Sequence, residues 1–424
     1  MRALLSVRLG ADFSKLWTAS AVSNVGDGIT MAAGPLLVAA LTNDPASVAG
    51  AALAQQLPWV IIALFSGVYV DRLDRRRLVI VVNVLRGLAL TVLAATIATS
   101  TVSVPLIYIV FFLLGVGETL ADTAFSALIP ATVAPEQLTS ANSRLTATTI
   151  LGNQILAKPL GGWLFAAGAT LPFAADALTF LIAAALTSAV RIPPPGPAAD
   201  DGARISSPES TADGGTRVSS AEPTVARRSV REDMLAGIRW LWRHRLLRTL
   251  AMSMGMANVA FCAPFAVFAL YAQQRLDLNE VGYGLLLTAF GAGGLAGSAL
   301  ATRLQARFRA TVLLRGGLIV EIVTHAVLAA TTEPLVAAMI LTIFSLHSVN
   351  WGIIVATRFQ REVPDGLRGR VGSVYAFIQV GGAAAGSLLG GLIAQTVTIT
   401  TPFWAAAAAM TIITAIAWRP LRTA

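Results

Sequence analysis

Apolar residues run along this chain in long blocks separated by short polar stretches. Each block is about 20 residues long, the length a helix needs to cross a hydrocarbon core about 30 Å thick. Twelve blocks are predicted as helices, near 15–41, 47–70, 78–99, 104–129, 142–167, 171–190, 247–272, 281–302, 312–331, 334–357, 371–395 and 400–418. One such run could be a buried helix of a soluble protein. Twelve in succession predict an all-α membrane protein.

The pattern breaks over 191–233, which is rich in Pro, Ser, Ala, Asp and Arg. That composition cannot bury a core, so a disordered cytoplasmic linker is expected there. It separates an N-terminal six-helix bundle, 1–190, from a C-terminal one, 234–424. The stretch from Val230 to Arg248 is basic and carries Trp240 and Trp242. It is expected to form an amphipathic helix on the inner leaflet. The two halves repeat. Pro135 and Leu138 match Pro364 and Leu367, an offset of 229 residues (135 to 364). The same offset carries Gly161-Gly162 onto Gly390-Gly391 and Leu85-Arg86-Gly87 onto Leu314-Arg315-Gly316. Duplicated halves of this kind are an architecture of secondary transporters.

The chain is 55% hydrophobic and 12% charged, whereas soluble domains average about 25% charged. Its net charge of +9 does not point to nucleic acid, because the arginines sit in loops between apolar blocks. Basic residues collect at the N-terminus, in the loops after spans 2, 8 and 10, and in the tail. The alternate loops hold none except Arg275. Both termini are therefore expected in the cytoplasm of an inner membrane. The first block lacks a small-residue cleavage site, so no signal peptide is expected. The single cysteine, Cys262, provides no disulfide or metal framework. The glycines of spans 8 and 11 read as packing surfaces, with no phosphate-loop spacing. No nucleophile or cofactor motif stands out, so neither an enzyme nor a cofactor is expected.

Between spans 2 and 3 stands Gly67-Val-Tyr-Val-Asp71-Arg72-Leu-Asp74-Arg75-Arg76-Arg77. The spacing Gly-x-x-x-Asp-Arg-x-x-Arg-Arg resembles the same loop of major facilitator superfamily transporters. With the twelve spans, the linker and the repeat, the resemblance covers nearly the whole chain. It implies the major facilitator fold, twelve transmembrane helices in two six-helix pseudo-symmetric bundles. Asn24-Val-Gly26-Asp27-Gly28, Ala127-Leu-Ile-Pro130 and Pro135-Glu136-x-Leu138-x-x-Ala141-Asn142 resemble the drug, macrolide and enterobactin exporter group. Three features depart from the family's pattern. Asp74 replaces a usual glycine, span 4 lacks an arginine before Gly115-Val-Gly117, and Lys158 interrupts the usual span 5 motif. The resemblance implies that Asp71 contacts the start of span 11 when the cytoplasmic side is closed. The gate would then comprise Gly67, Asp71, Arg72, Arg75, Arg76 and Arg370. The loop residues otherwise only set topology.

Ionisable residues inside a span are costly and mark pathways or pairs. Asp27 either binds a proton or cationic group, or is tied to Asn24 for packing. Glu118 and Asp122 stand four apart, hence on one face of span 4. Glu118 either carries protons or pairs with Lys158 of span 5. Glu321 and His325 share a face of span 9, which the fold makes peripheral, so a local pair is expected. The resemblance also implies a cavity wall, with candidates Asn24, Gln55, Gln56, Trp59, Asn153, Asn258, Phe261, His347, Asn350, Trp351 and Gln379. Aromatics mixed with amides suit amphipathic organic molecules. The expected function is proton-coupled export of such a small molecule by a monomer in the lipid bilayer. A siderophore or lysophospholipid transporter, or a non-transporting membrane sensor, are the alternatives.

Overall fold

The computed structural model describes residues 9–70, 73–191, 230–364 and 367–423. Every predicted block is helical. The helices are α1 (Ala11–Leu41), α2 (Pro45–Val70), α3 (Arg75–Ala98) and α4 (Val104–Leu128). Helix α5 has three joined pieces, Leu138–Thr149, a π-helical stretch Ile150–Leu156, and Ala157–Ala167, and is followed by α6 (Leu171–Ser188). A linker helix, Val230–Arg243, precedes α7 (Arg245–Ala266, continued as Phe268–Gln274). Then come α8 (Glu280–Arg307), α9 (Ala310–Ala330), α10 (Pro334–Glu362), α11 (Arg368–Thr396) and α12 (Thr401–Ala417). Nine of the described helices are long and apolar enough to span a membrane by themselves.

Local chemistry sets the boundaries. Asp74, the departure from the family loop, caps α3 by accepting from Arg77 N at 3.0 Å. Asp44 caps α2, accepting from Ser47 N at 3.0 Å and from its hydroxyl at 2.6 Å. The Ser47 hydroxyl holds the Asp44 carboxyl below its ordinary value. Proline opens α4, α6, α10 and α12, where its missing N–H costs nothing. Arg275, the one basic residue among the alternate loops, donates to Thr331 O (3.1 Å) and Ala330 O (2.9 Å). It thereby satisfies the last carbonyls of α9. In α5, Pro159 removes the N–H that would reach Ile155, and the π-helical stretch lies immediately before it.

The duplication is visible in the packing. In the first half α1 packs on α5 and α6, α2 on α4, and α3 on α4 and α6. In the second, α7 packs on α11 and α12, α8 on α10, and α9 on α10 and α12. The halves meet through α5 against α8 and, equivalently, α2 against α11. The repeated glycines fill equivalent roles. A Cβ on Gly161 would meet the backbone of Ile29 in α1, and one on Gly390 the backbone of Ala263 in α7. Gly162 faces the start of α8 at Glu280, and Gly391 the start of α2 at Pro45 and Ala46.

One hydrophobic core joins both halves at the end away from the arginine-rich loops. It includes Leu36, Leu37, Val48, Phe165, Phe268, Tyr271, Tyr283 and Phe403. Toward the arginine-rich end the core divides. Leu16, Val79, Ala124 and Leu128 form a cluster in the first half, and Leu247, Leu250, Leu314 and Val371 in the second. Among the described residues, the halves share a core at one end, the closed one, and hold separate cores at the other, the parted one. The linker helix seats Leu241 in the second-half cluster, and Gly237 lies against the backbone of Arg370.

Candidate functional site

Two cavities lie between mid-span and the parted end, one in each half. The N-half cavity, about 90 Å³, is lined by α1, α3, α4, α5 and the end of α6, with Asn24, Asp27, Asn83, Arg86, Glu118, Asp122 and Asn153 among its residues. At its floor Arg86 Nη2 meets Asp27 Oδ1 at 2.7 Å. Arg86 is 6% exposed, and its guanidinium carbon lies 4.0 Å from the centroid of Phe180. A buried guanidinium held by a carboxylate and an aromatic face is strongly fixed. Behind it, on α6, buried Asp176 accepts from Thr30 Oγ1 at 2.5 Å and from Thr179 Oγ1 at 3.0 Å. Trp59 of α2 lies beside Glu118.

Three carboxylates, Asp27, Glu118 and Asp122, therefore line a cavity with one guanidinium. Two negative charges remain to be balanced in a medium where uncompensated charge is expensive. Protons or a cationic group can do so.

The C-half cavity, about 170 Å³, differs in chemistry. Its residues include Ser253, Asn258, Phe261, Phe290, Glu321, Phe344, His347 and Trp351. Phe261 stacks on Phe344 at 5.2 Å and on Phe290 at 5.7 Å. His347 Nε2 lies 3.3 Å from Glu321 Oε1. Glu118 and His347 are separated by the repeat offset of 229 (118 to 347), so an acid on α4 corresponds to an imidazole on α10.

The remaining sequence candidates divide as follows. Asp27 is held by Arg86, not by Asn24, whose amide donates to Ser20 O at 2.7 Å. Lys158 is buried at the α5–α8 contact, 5.9 Å from the Phe290 centroid, and is not among the residues lining the cavity that holds Glu118. Glu321 reaches across to His347 on α10, while His325 Nδ1 sits 2.7 Å from the Glu321 backbone oxygen. The expected local pair is present, with His325 Nδ1 also 4.0 Å from Glu321 Oε2, and Glu321 adds an inter-helix partner that the sequence did not indicate. Asn350 donates to Gly297 O (3.1 Å) and Leu346 O (2.9 Å), joining α8 to α10 instead of lining either cavity. Gln56 donates to Ser387 Oγ at 3.4 Å, linking α2 to α11. Gln55 and Gln379 are half-buried and line neither cavity.

Of the expected gate, Asp71 and Arg72 lie outside the described residues, and only the helical backbone is described at Gly67. Arg76 instead serves α6, donating to Thr187 O at 3.3 Å and to Ser188 O. Arg75 is exposed, and Arg370 packs under the linker helix. Sequence reasoning passed over Arg86 and Asp176. Both are ionisable residues inside predicted spans, the signal that selected Asp27.

Comparisons with known proteins agree with this architecture. The chain is 26% identical over 412 residues to "Multidrug efflux pump Tap" of Mycolicibacterium fortuitum, covering 94% of this chain and 93% of that protein. It is 23% identical over 383 residues to "Enterobactin exporter EntS" of Citrobacter koseri, covering 90% and 85%. A bacterial homologue of iron transporter ferroportin in inward-facing state superposes with a TM-score of 0.73 at 16% identity, covering 97% of this chain and 98% of that one. The pattern of the Major Facilitator Superfamily matches residues 16–386. The chain belongs to that superfamily and is a multi-pass membrane transporter.

Proposed function

We propose that the chain exports an amphipathic small molecule across the cytoplasmic membrane in exchange for protons. The observation that carries this reading is the charge imbalance in the N-half, where Asp27, Glu118 and Asp122 share the single guanidinium of Arg86. A site that needs protons or a cation to balance its charge binds one when the other leaves, and this is the logic of an exchanger. The parted end carries the arginine-rich loops, which supports a cytoplasmic position for it by the positive-inside rule. On that reading the structure is open to the cytoplasm and closed outside. The efflux-pump relative supports export as the direction.

The test uses purified protein in vesicles containing a pH-sensitive dye, with a panel of cationic dyes, macrolides and enterobactin. Substrate-dependent proton flux is expected from the wild type and is lost in Asp27→Asn and Glu118→Gln. Substrate movement without proton flux would refute exchange and leave facilitated transport.

A further inference from the structure

The C-half cavity has two buried polar atoms whose hydrogen-bonding capacity is unmet. Glu321 is 6% exposed and Trp351 is 7% exposed, and both line the cavity. Glu321 Oε1 faces His347 Nε2, but Glu321 Oε2 has no hydrogen-bond partner, and neither does Trp351 Nε1. Such atoms destabilise the protein unless something satisfies them. The two requirements are opposite. A carboxylate oxygen only accepts, and an indole N–H only donates.

The surroundings define what could meet both. The cavity residues include no lysine or arginine, so the basic groups near the acid are two imidazoles, His347 beside Oε1 and His325, whose Nδ1 is engaged with the Glu321 backbone oxygen at 2.7 Å and stands 4.0 Å from Oε2, beyond hydrogen-bond reach. His347 is held edge-on to Phe344 at 5.7 Å and to Trp351 at 6.5 Å. Phe261, Phe290 and Phe344 form a stacked wall beside the acid. Aromatic faces attract cations and also accept flat apolar bodies. The volume of about 170 Å³ exceeds what one bridging water needs, about 30 Å³ in the liquid.

We propose that this C-half cavity binds a protonated amine that carries an aryl or alicyclic body and a nearby acceptor oxygen. The ammonium donates to Glu321 Oε2, the oxygen accepts from Trp351 Nε1–H, and the body lies against the phenylalanine wall. This deepens the export reading by naming the substrate class, and rests on it. It also separates the roles of the halves, because the N-half cavity offers carboxylates and amides where the C-half offers aromatic rings.

The test is equilibrium binding of propranolol, a fluorescent naphthyl amine with a hydroxyl beside its ammonium, to the full chain in lipid nanodiscs. Its neutral counterpart is 1-methoxynaphthalene. Saturable propranolol binding is expected. It weakens about tenfold or more in Glu321→Gln, as loss of a charge-assisted hydrogen bond requires, and about threefold in Trp351→Phe. Binding of the neutral compound is unchanged in Glu321→Gln, which shows that the variant is folded. Glu321→Asp, which keeps the charge, restores part of the propranolol affinity. Equal propranolol affinity in wild type and Glu321→Gln, or no binding to the wild type, would overturn the proposal. Proton flux driven by macrolides or enterobactin in wild-type vesicles is read separately. Its persistence would leave export standing while this site falls.

Discussion

From Asn24 to Gly28, successive side chains face different neighbours. Asn24 turns back to Ser20 in its own helix, and Asp27 pairs with Arg86 of α3. Gly26 lies against Asp176 and Thr179 of α6, leaving no room for a Cβ. Gly28 lies against Asn153 and Ala157 of α5, with the Asn153 oxygen 2.6 Å from where its Cβ would be. The glycines on either side of the acid let α1 approach two helices closely enough to exclude lipid from it. This accounts physically for a string that the sequence offered only as a resemblance. The Asp27–Arg86 pair also makes a prediction about stability. Removing one partner of a buried pair leaves an unpaired charge, at a cost of about 3–5 kcal/mol. Arg86→Leu is therefore expected to lower the unfolding midpoint in detergent severely. The double variant Asp27→Asn, Arg86→Gln, which leaves no charge at either position, is expected to recover more than half of the loss. Equal melting of the single and double variants would show that the pair is not coupled.

At the scale of helices, the closed end depends on two equivalent contacts. Gly162 of α5 meets the start of α8, and Gly391 of α11 meets the start of α2. An alanine methyl at Gly162 would press on the Glu280 backbone and one at Gly391 on the Ala49 Cβ and the backbone behind it, none of which can move aside as the end of a flexible side chain can. Overpacking of this kind costs about 1–3 kcal/mol. The cost falls on the state in which these ends touch, so Gly162→Ala and Gly391→Ala are expected to shift the population toward the opposite-facing conformation. The check is a distance between spin labels across the closed end, on a Cys262→Ser background that removes the one native thiol. An unchanged distance distribution in both variants would remove these glycines from the closure. The helices themselves were legible because span length and apolarity are fixed by the bilayer, and the equivalence of the halves was legible from the repeat offset. The site was less so. Sequence gives the depth of a residue in a span but not the direction in which it points. Depth alone would have found Arg86 and Asp176. It could not show that Glu321, on peripheral α9, reaches a cavity on its inner side. The offset also misled at Arg315. Arg86 lies eleven residues into α3 and pairs with an acid, whereas Arg315 lies five into α9, donates to Trp418 O and covers its ring at 4.6 Å.

Across the whole molecule, duplication has kept the packing and let the cavities diverge. The N-half holds a carboxylate cluster around one guanidinium, and the C-half holds a phenylalanine wall with one acid and one imidazole. Rocking of one half on the other couples the two only if each ligand binds the two conformations with different affinity. If protons act through the N-half and cargo through the C-half, a single neutralisation should separate the functions. Glu118→Gln is expected to stop uphill, proton-driven movement in vesicles. It should leave counterflow intact, the exchange of labelled for unlabelled cargo without a proton gradient, because that process needs only the cargo site and the rocking motion. Glu321→Gln is expected to reduce counterflow of an amine by about tenfold while macrolide-driven proton flux continues. Loss of counterflow in Glu118→Gln, in protein whose melting is otherwise unchanged, would mean that cargo also binds in the N-half. Protons and cargo would then compete directly for the same carboxylates, with no need for coupling through the motion of the halves.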